Sequence, residues 1–241
     1  VIKAILFDLD NTLLDNDIDT FISTYVAAMS EHVSVVVPGD FFISHMLRAT
    51  EAMVANVDPH RTNQEVFDAA FFPAIGHSRQ ELEPILDDFY ANRFPEIKSL
   101  TQPMPEARAL VEWAFDQGLQ VVVATNPLFP RTAIEQRLAW AQVPVDAFAY
   151  DLVTSYETMH AAKPNPAYYL EIARRLDRQP EECLMVGDEW ERDIAPALSI
   201  GMEAYWIVDL AREIPSLQSS PTGQGSLADF SQWVQQRVSQ E

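Results

Sequence analysis

The chain has 241 residues, enough for one large domain or two modest ones, and its 48% hydrophobic and 22% charged residues make an ordinary globular balance. Sixteen Lys and Arg against thirty-six Asp and Glu leave a formal charge of −20, a field that argues against nucleic acid and an anionic membrane surface as partners. No run approaches the ~18 apolar residues of a membrane span, the single Cys183 forms no internal disulfide, and the N-terminus carries no basic, signal-like stretch, so a cytoplasmic setting is expected.

Val1 to Phe7 is a short apolar run with β-branched and aromatic residues, followed by an Asp/Asn/Thr cluster, and reads as a central strand. Residues 16–100 then keep helical spacing. Ile18, Phe21, Ile22, Tyr25, Val26, Met29 and Val33 form one stripe, and Phe42, Met46, Ala49 and Met53 another. Two capping boxes follow, Thr62 with Glu65 and Ser78 with Glu81, each opening a further apolar helix. About four helices are expected here, with Asp15, Asn16 and Asp17 as a hinge and Pro103 and Pro105 stiffening the return.

From residue 101 the pattern changes to strands alternating with helices. A helix over Glu106–Gln117 ends at Gly118, and another runs from about Pro166 to Leu176. Strands are expected over Leu119–Ala124, Ala147–Val153, Cys183–Val186 and Ala204–Val208. Near-continuous apolar strands between helices describe an α/β fold, a parallel sheet covered on both faces. Ser216–Ser226 is rich in Ser, Gly, Pro and Gln and reads as a linker. Leu227, Phe230, Trp233, Val234 and Val238 then make a helix that docks on the core.

The chemistry gathers at the strand ends. The first strand finishes Asp8-Leu9-Asp10-Asn11-Thr12, and alternation places Asp8 and Asp10 on one side, at the edge where open α/β sheets bind ligands. Thr125 and Asn126 close the next strand, Lys163 precedes Pro164, and Gly187-Asp188 to Asp193 follow the strand at 183–186. Each has an ordinary alternative: a helix cap for Thr125 and Asn126, a surface lysine for Lys163, a helix-terminal carboxylate for Asp193. The five histidines lie far apart with no zinc spacing, so a bound metal is expected to have oxygen ligands.

Taken in order, these four segments resemble the motifs of the haloacid dehalogenase (HAD) superfamily: DxDxT after the first strand, Thr after the second, a Lys, and a GDxxxxD loop. The resemblance runs to about Val208. It implies a Rossmann-like core of residues 1–15 and 101–241, of which 209–241 form the terminal linker and docking helix, with residues 16–100 inserted as an all-helical C1 cap.

It implies a Mg2+-dependent phosphohydrolase acting on a small phosphorylated metabolite. Asp8 would be the nucleophile that forms an aspartyl-phosphate, and Asp10 the general acid and base, its acid form favoured by neighbouring negative charge. Lys163, Thr125 and Asn126 would hold the phosphoryl group. Asp8, the main-chain carbonyl of Asp10, and Asp188 would bind Mg2+, with Asp193 as a ligand or just outside it and Glu189 either joining that outer layer or simply exposed. Asp10 argues against dehalogenation, and the absence of lysine from 16–97 against Schiff-base phosphonatase chemistry. A sugar phosphomutase and a catalytically silent binding protein of the same fold remain as alternatives. Arg48, Arg61, Arg79, Arg93, His45, His60 and His77 are candidate cap handles, and Phe41, Phe42, Phe67, Phe71 and Phe72 could line an apolar pocket, although their helical spacing makes core packing the better explanation.

Overall fold

The computed structural model describes residues 1–208 and 220–238. Its strands are β1 (Ala4–Phe7), β2 (Leu14–Asn16), β3 (Thr101–Pro103), β4 (Gln120–Val123), β5 (Leu152–Val153), β6 (Cys183–Gly187), β7 (Glu203–Ile207) and β8 (Gly223–Gly225). Among the described residues, six of them form one sheet in the order β5-β4-β1-β6-β7-β8, every pair parallel. The run at 1–7 therefore is central, as its apolar character requires.

Alternation along the strands divides the core in two. Ile5, Phe7, Val121, Val123, Leu184 and Val186 join one apolar cluster, and Ala4, Leu6, Val122, Ala124, Cys183 and Met185 the other. The first face is covered by α5 (Ala107–Asp116), α6 (Arg131–Trp140) and α9 (Leu227–Val238), the second by α7 (Pro166–Arg175) and α8 (Ala195–Ser199). Gly118, at φ +70°, ends α5 in the left-handed region that glycine enters without a Cβ penalty.

Between β2 and β3 the chain is helical: α1 (Ile18–Val33), α2 (Gly39–Val54), α3 (Asn63–Ile75), α4 (Arg79–Asp88), then a π turn over Phe89–Arg93 and a 3-10 helix over Phe94–Leu100. Both capping boxes form, with Thr62 accepting from the Glu65 N–H and Ser78 from that of Glu81. The apolar cluster of the insert continues without a break into the first sheet face. At the start of α3, the Asn63 N–H donates to the Met159 carbonyl (2.8 Å), and its buried side-chain amide donates to the carbonyls of Ala161 (3.2 Å) and Pro127 (3.4 Å).

Several expectations are corrected. The proposed hinge at 15–17 is partly an antiparallel ribbon, β2 against β3, with Asn16 buried and Asp17 serving as the N-cap of α1. The strand expected over Ala147–Val153 shrinks to its last two residues, because turns onto the Pro144 carbonyl send Phe148 and Tyr150 against Phe115 instead. Part of the presumed linker at 216–226 is the edge strand β8. Gly223 permits it, since a Cβ there would lie 2.7 Å from the Tyr205 ring. Residues 209–219 of the expected terminal linker, and residues 239–241, lie outside the described residues.

Candidate active site

β1, β4 and β6 are neighbours, so their carboxyl ends deliver Asp8, Thr125 and Asp188 to one spot. Asp8 is still held between strands: its N–H donates to the Val186 carbonyl at 2.9 Å, and it is 7% exposed. The chain then folds back on itself, the Leu9 carbonyl accepting from the N–H groups of Leu13 and Leu14, with Asn11 at φ +54° in a conformation that asparagine tolerates.

Lys163 is 2% exposed and donates to Asp8 Oδ1 at 2.7 Å and to Asp193 Oδ1 at 2.5 Å. The surface-lysine alternative is thereby excluded. Asp193 sits in a π turn at Trp190–Ile194; its second oxygen accepts from the Glu189 N–H at 3.0 Å. Gly187 is required by that approach, because a Cβ there would fall 2.3 Å from Asp193 Oδ2. The Trp206 indole donates to the Asp188 carbonyl at 2.8 Å and fixes the loop from the next strand.

Asp8, Asp188 and Asp193 each offer a carboxylate oxygen within 4.8 Å of the others. Two of these carboxylates, Asp8 and Asp193, thus share one buried ammonium, with Asp188 beside them. Burial, then Asp193 and Glu189, push the Asp188 carboxyl up to about 7. Burial also drives Asp8 well above the ordinary carboxylate range, Lys163 opposing it and the other aspartates adding to it. Lys163 is held charged, since Asp193 and Asp8 outweigh the cost of its burial. An excess of hard, repelling oxygen donors around a small space fits a divalent cation such as Mg2+. Asp193 has both oxygens engaged by Lys163 and Glu189, so Asp8 and Asp188 are the side chains free to hold an ion.

Thr125 is buried, and its carbonyl accepts from Thr154 Oγ1 (2.7 Å) and the Tyr168 hydroxyl (2.9 Å). Asn126 Oδ1 accepts from the Lys163 N–H at 3.2 Å. Neither residue caps a helix, as α6 starts only at Arg131 after Pro130. Glu189 faces Arg192 at 3.0 Å with its side chain 43% exposed, at the edge of the site.

Asp10 departs from expectation. The group nearest its carboxylate is not negative: Oδ1 accepts from the Arg137 guanidinium and from Asn16 Nδ2 at 2.9 Å. Arg137 is 1% exposed, lies over the rings of Phe21 (5.0 Å) and Phe129 (5.3 Å), and has a buried Nε with no partner among the described residues. Sequence reasoning missed it, although a signal existed: an arginine stands in the apolar stripe of α6 beside Ala133, Ile134 and Leu138. Asp8, Asp10, Asn11, Thr125, Asn126, Arg137, Lys163, Glu189 and Asp193 line one cavity of about 210 Å³. Of the candidate handles in the insert, Arg79 lines the neighbouring cavity; the other six line neither.

A parallel α/β sheet with a helical insert after its first strand, and an aspartate-lysine cluster at its carboxyl edge, defines the class. Residues 2–201 match the family model of the haloacid dehalogenase-like hydrolases, and the chain belongs to that family. Among curated relatives, the N-acetylmuramic acid 6-phosphate phosphatase of Pseudomonas aeruginosa is 30% identical over 204 residues, 83% of this chain and 79% of that one. The glyceraldehyde 3-phosphate phosphatase of Methanopyrus kandleri is 31% identical over 114 residues, 47% of this chain and 45% of the relative. The chain spans about half the length of the first curated relatives it matches. A HAD phosphatase from Thermococcus onnurineus has the same fold, with a TM-score of 0.60, 23% identity, and 97% of this chain and 98% of that one aligned. No helix among the described residues is long and apolar enough to cross a membrane.

Proposed function

We propose that the chain is a Mg2+-dependent phosphomonoesterase that works through an aspartyl-phosphate on Asp8. The observation that carries this reading is the buried Lys163, which grips Asp8 through one oxygen beside the cavity that both residues line at the sheet edge. Names of relatives that are phosphatases support it. In the same reading, residues 16–100 act as a cap domain on a core of 1–15 and 101–241, meeting it at the ribbon of β2 and β3.

Phosphate monoesters hydrolyse so slowly in water that a site must supply both a nucleophile and concentrated positive charge. The free Asp8 oxygen attacks phosphorus, the bond from phosphorus to the ester oxygen breaks, and Asp10 gives its proton to the departing alkoxide. Water then attacks the aspartyl-phosphate, Asp10 takes its proton back, and Asp8 is released together with inorganic phosphate. Asn16 and Arg137 hold Asp10 by Oδ1, which leaves Oδ2 to carry that proton.

Lys163 opposes the effect of burial on Asp8 and offsets phosphoryl charge; at ~4 Å one such charge is worth up to ~4 kcal/mol at an effective dielectric near 20. The Thr125 hydroxyl and the Asn126 amide nitrogen bind phosphoryl oxygens. Mg2+, held by Asp8, the Asp10 carbonyl and Asp188 with Asp193 outside them, neutralises the gathered negative charge when bound.

The test is a panel of phosphorylated metabolites and an aryl phosphate with Mg2+, beside Asp8→Asn and Asp10→Asn. Turnover that needs Mg2+ and vanishes in both variants, with beryllofluoride bound by the wild type and not by Asp8→Asn, is the expected result. Turnover that survives Asp8→Asn, or a folded, Mg2+-loaded protein inert to the whole panel, would refute the proposal.

A further inference from the structure

A second cavity of about 600 Å³ adjoins the first, and Ile22, Leu128 and Phe129 are walls of both. It is the size of a small-molecule pocket, whereas protein interiors hold few voids larger than a water. Its walls are made by α1, α2, α3 and α4 of the insert and the loop before α6, with Phe42, Met46, Phe67 and Phe71 prominent, and it reaches the surface at Leu47, which is 49% exposed. This corrects one expectation: Phe42, Phe67, Phe71 and Phe72 do not simply fill a core, for they also line open space. Phe41, 43% exposed, does not line it.

The charges around this cavity leave no place for a second anion. Arg79 and Arg131 stand against Glu83, Asp87, Glu135 and Glu157, two positive against four negative. Both arginines are already paired, Arg79 with Asp68 at 2.6 Å and Arg131 with Glu135 at 2.6 Å. The deepest polar groups satisfy each other as well, Tyr25 and Tyr90 sharing a hydroxyl hydrogen bond of 2.8 Å. A carboxylate or second phosphate entering here would lose its water and meet net negative charge.

We infer that the physiological ester carries an uncharged, apolar alcohol, aromatic or extended aliphatic, whose body occupies this cavity while its phosphate sits beside Asp8. The inference rests on the phosphomonoesterase reading and adds the class of leaving group. Because burial of apolar surface scales with chain length, kcat/KM should rise along a series of primary alkyl phosphates, which differ little in intrinsic reactivity.

The experiment measures phosphate release from ethyl, butyl and hexyl phosphate, and from the hexyl ester bearing a terminal carboxylate, all with Mg2+. Hexylphosphonate and ethylphosphonate, which the enzyme cannot hydrolyse, are compared by calorimetric binding. A gain of about fourfold per methylene, roughly two-hundredfold from ethyl to hexyl, is expected, and the terminal carboxylate should cancel most of it. Val26→Phe and Thr50→Phe, two separate cavity-filling changes, should each pull the hexyl-to-ethyl ratio down at least tenfold.

Hydrolysis of every ester with a flat or falling series would overturn the inference and leave the phosphomonoesterase reading standing. Hydrolysis of none would overturn that reading and the inference with it. Where the esters are hydrolysed, the phosphonates separate binding from chemistry: hexylphosphonate binding no tighter than ethylphosphonate ends the inference, and a binding gain lowered by the filling variants sustains it.

Discussion

The acidic cluster makes a prediction about stability that is independent of turnover. Without metal, the Asp188 carboxyl titrates near 7 because it is buried beside Asp193 and Glu189, whereas in the unfolded chain it titrates near an ordinary 3.8. The folded state therefore binds the extra proton. Its contribution is fully present below about pH 4, fades as the pH rises, and is gone above about pH 7. The gap of about three pH units corresponds to about 4 kcal/mol at 1.36 kcal/mol per unit.

Asp188→Asn removes that titration while leaving the loop held by the Trp206 indole. In metal-free protein, wild type should lose about 4 kcal/mol relative to the variant between pH 4 and pH 7.5. At about 2–4 °C per kcal/mol for a chain of this size, the variant should melt about 8–16 °C higher at pH 7.5. The assay is thermal and urea unfolding in EDTA across that range, the difference cancelling groups that titrate alike in both proteins. Added Mg2+ should then raise the wild-type Tm, and more so at pH 7.5 than at pH 5, but not that of the variant. Parallel curves for the two proteins would refute the reasoning.

Three further outcomes follow from the same geometry. Lys163→Met leaves Asp8 and Asp193 buried without their cation, so it should destabilise by about 3–5 kcal/mol in EDTA and abolish phosphatase activity, as urea titration and phosphate release will show. Gly187→Ala drives a methyl into Asp193 Oδ2 and should cost about 1–3 kcal/mol and at least tenfold in kcat; unaltered kinetics would mean that Asp193 does not need its present place. Arg137→Met removes the cation that holds Asp10, a positioning role. It should lower kcat at least tenfold and reshape the pH-rate profile while beryllofluoride binding persists, a separation that a general loss of structure would not produce.

Much of this molecule is written locally. Asp8, Thr125 and Asp188 could be placed because each ends or follows a short apolar strand, and parallel strands bring their ends to one edge, whereas Lys163 was placed by its Lys-Pro turn ahead of a helix. The helices of the insert were legible from apolar spacing and from Thr62-Glu65 and Ser78-Glu81, since caps depend on neighbours in sequence. Arg137 was not, because its partner Asp10 lies 127 residues away and no local pattern says which charge will face a buried guanidinium. β2, β3 and β8 are three residues each, too short for a period to show, and β8 depends on Gly223 lying flat on the distant Tyr205 ring. Helical spacing also gave the inward side of Phe42, Phe67 and Phe71 without saying whether that side meets another side chain or an empty volume.

Asn63 has a mechanical consequence. Its two amide hydrogens and its main-chain N–H end on Pro127, Ala161 and Met159, in the stretches that lead from Asn126 and towards Lys163. The first turn of α3 is thus stitched to the same two loops that carry Asn126 and Lys163, while its later turns bear Phe67 and Phe71. A body that wedges those rings apart would lever on the stitches, so a displacement of Phe67 or Phe71 would reach the loops at Asn126 and Lys163 through a lever four or eight residues long.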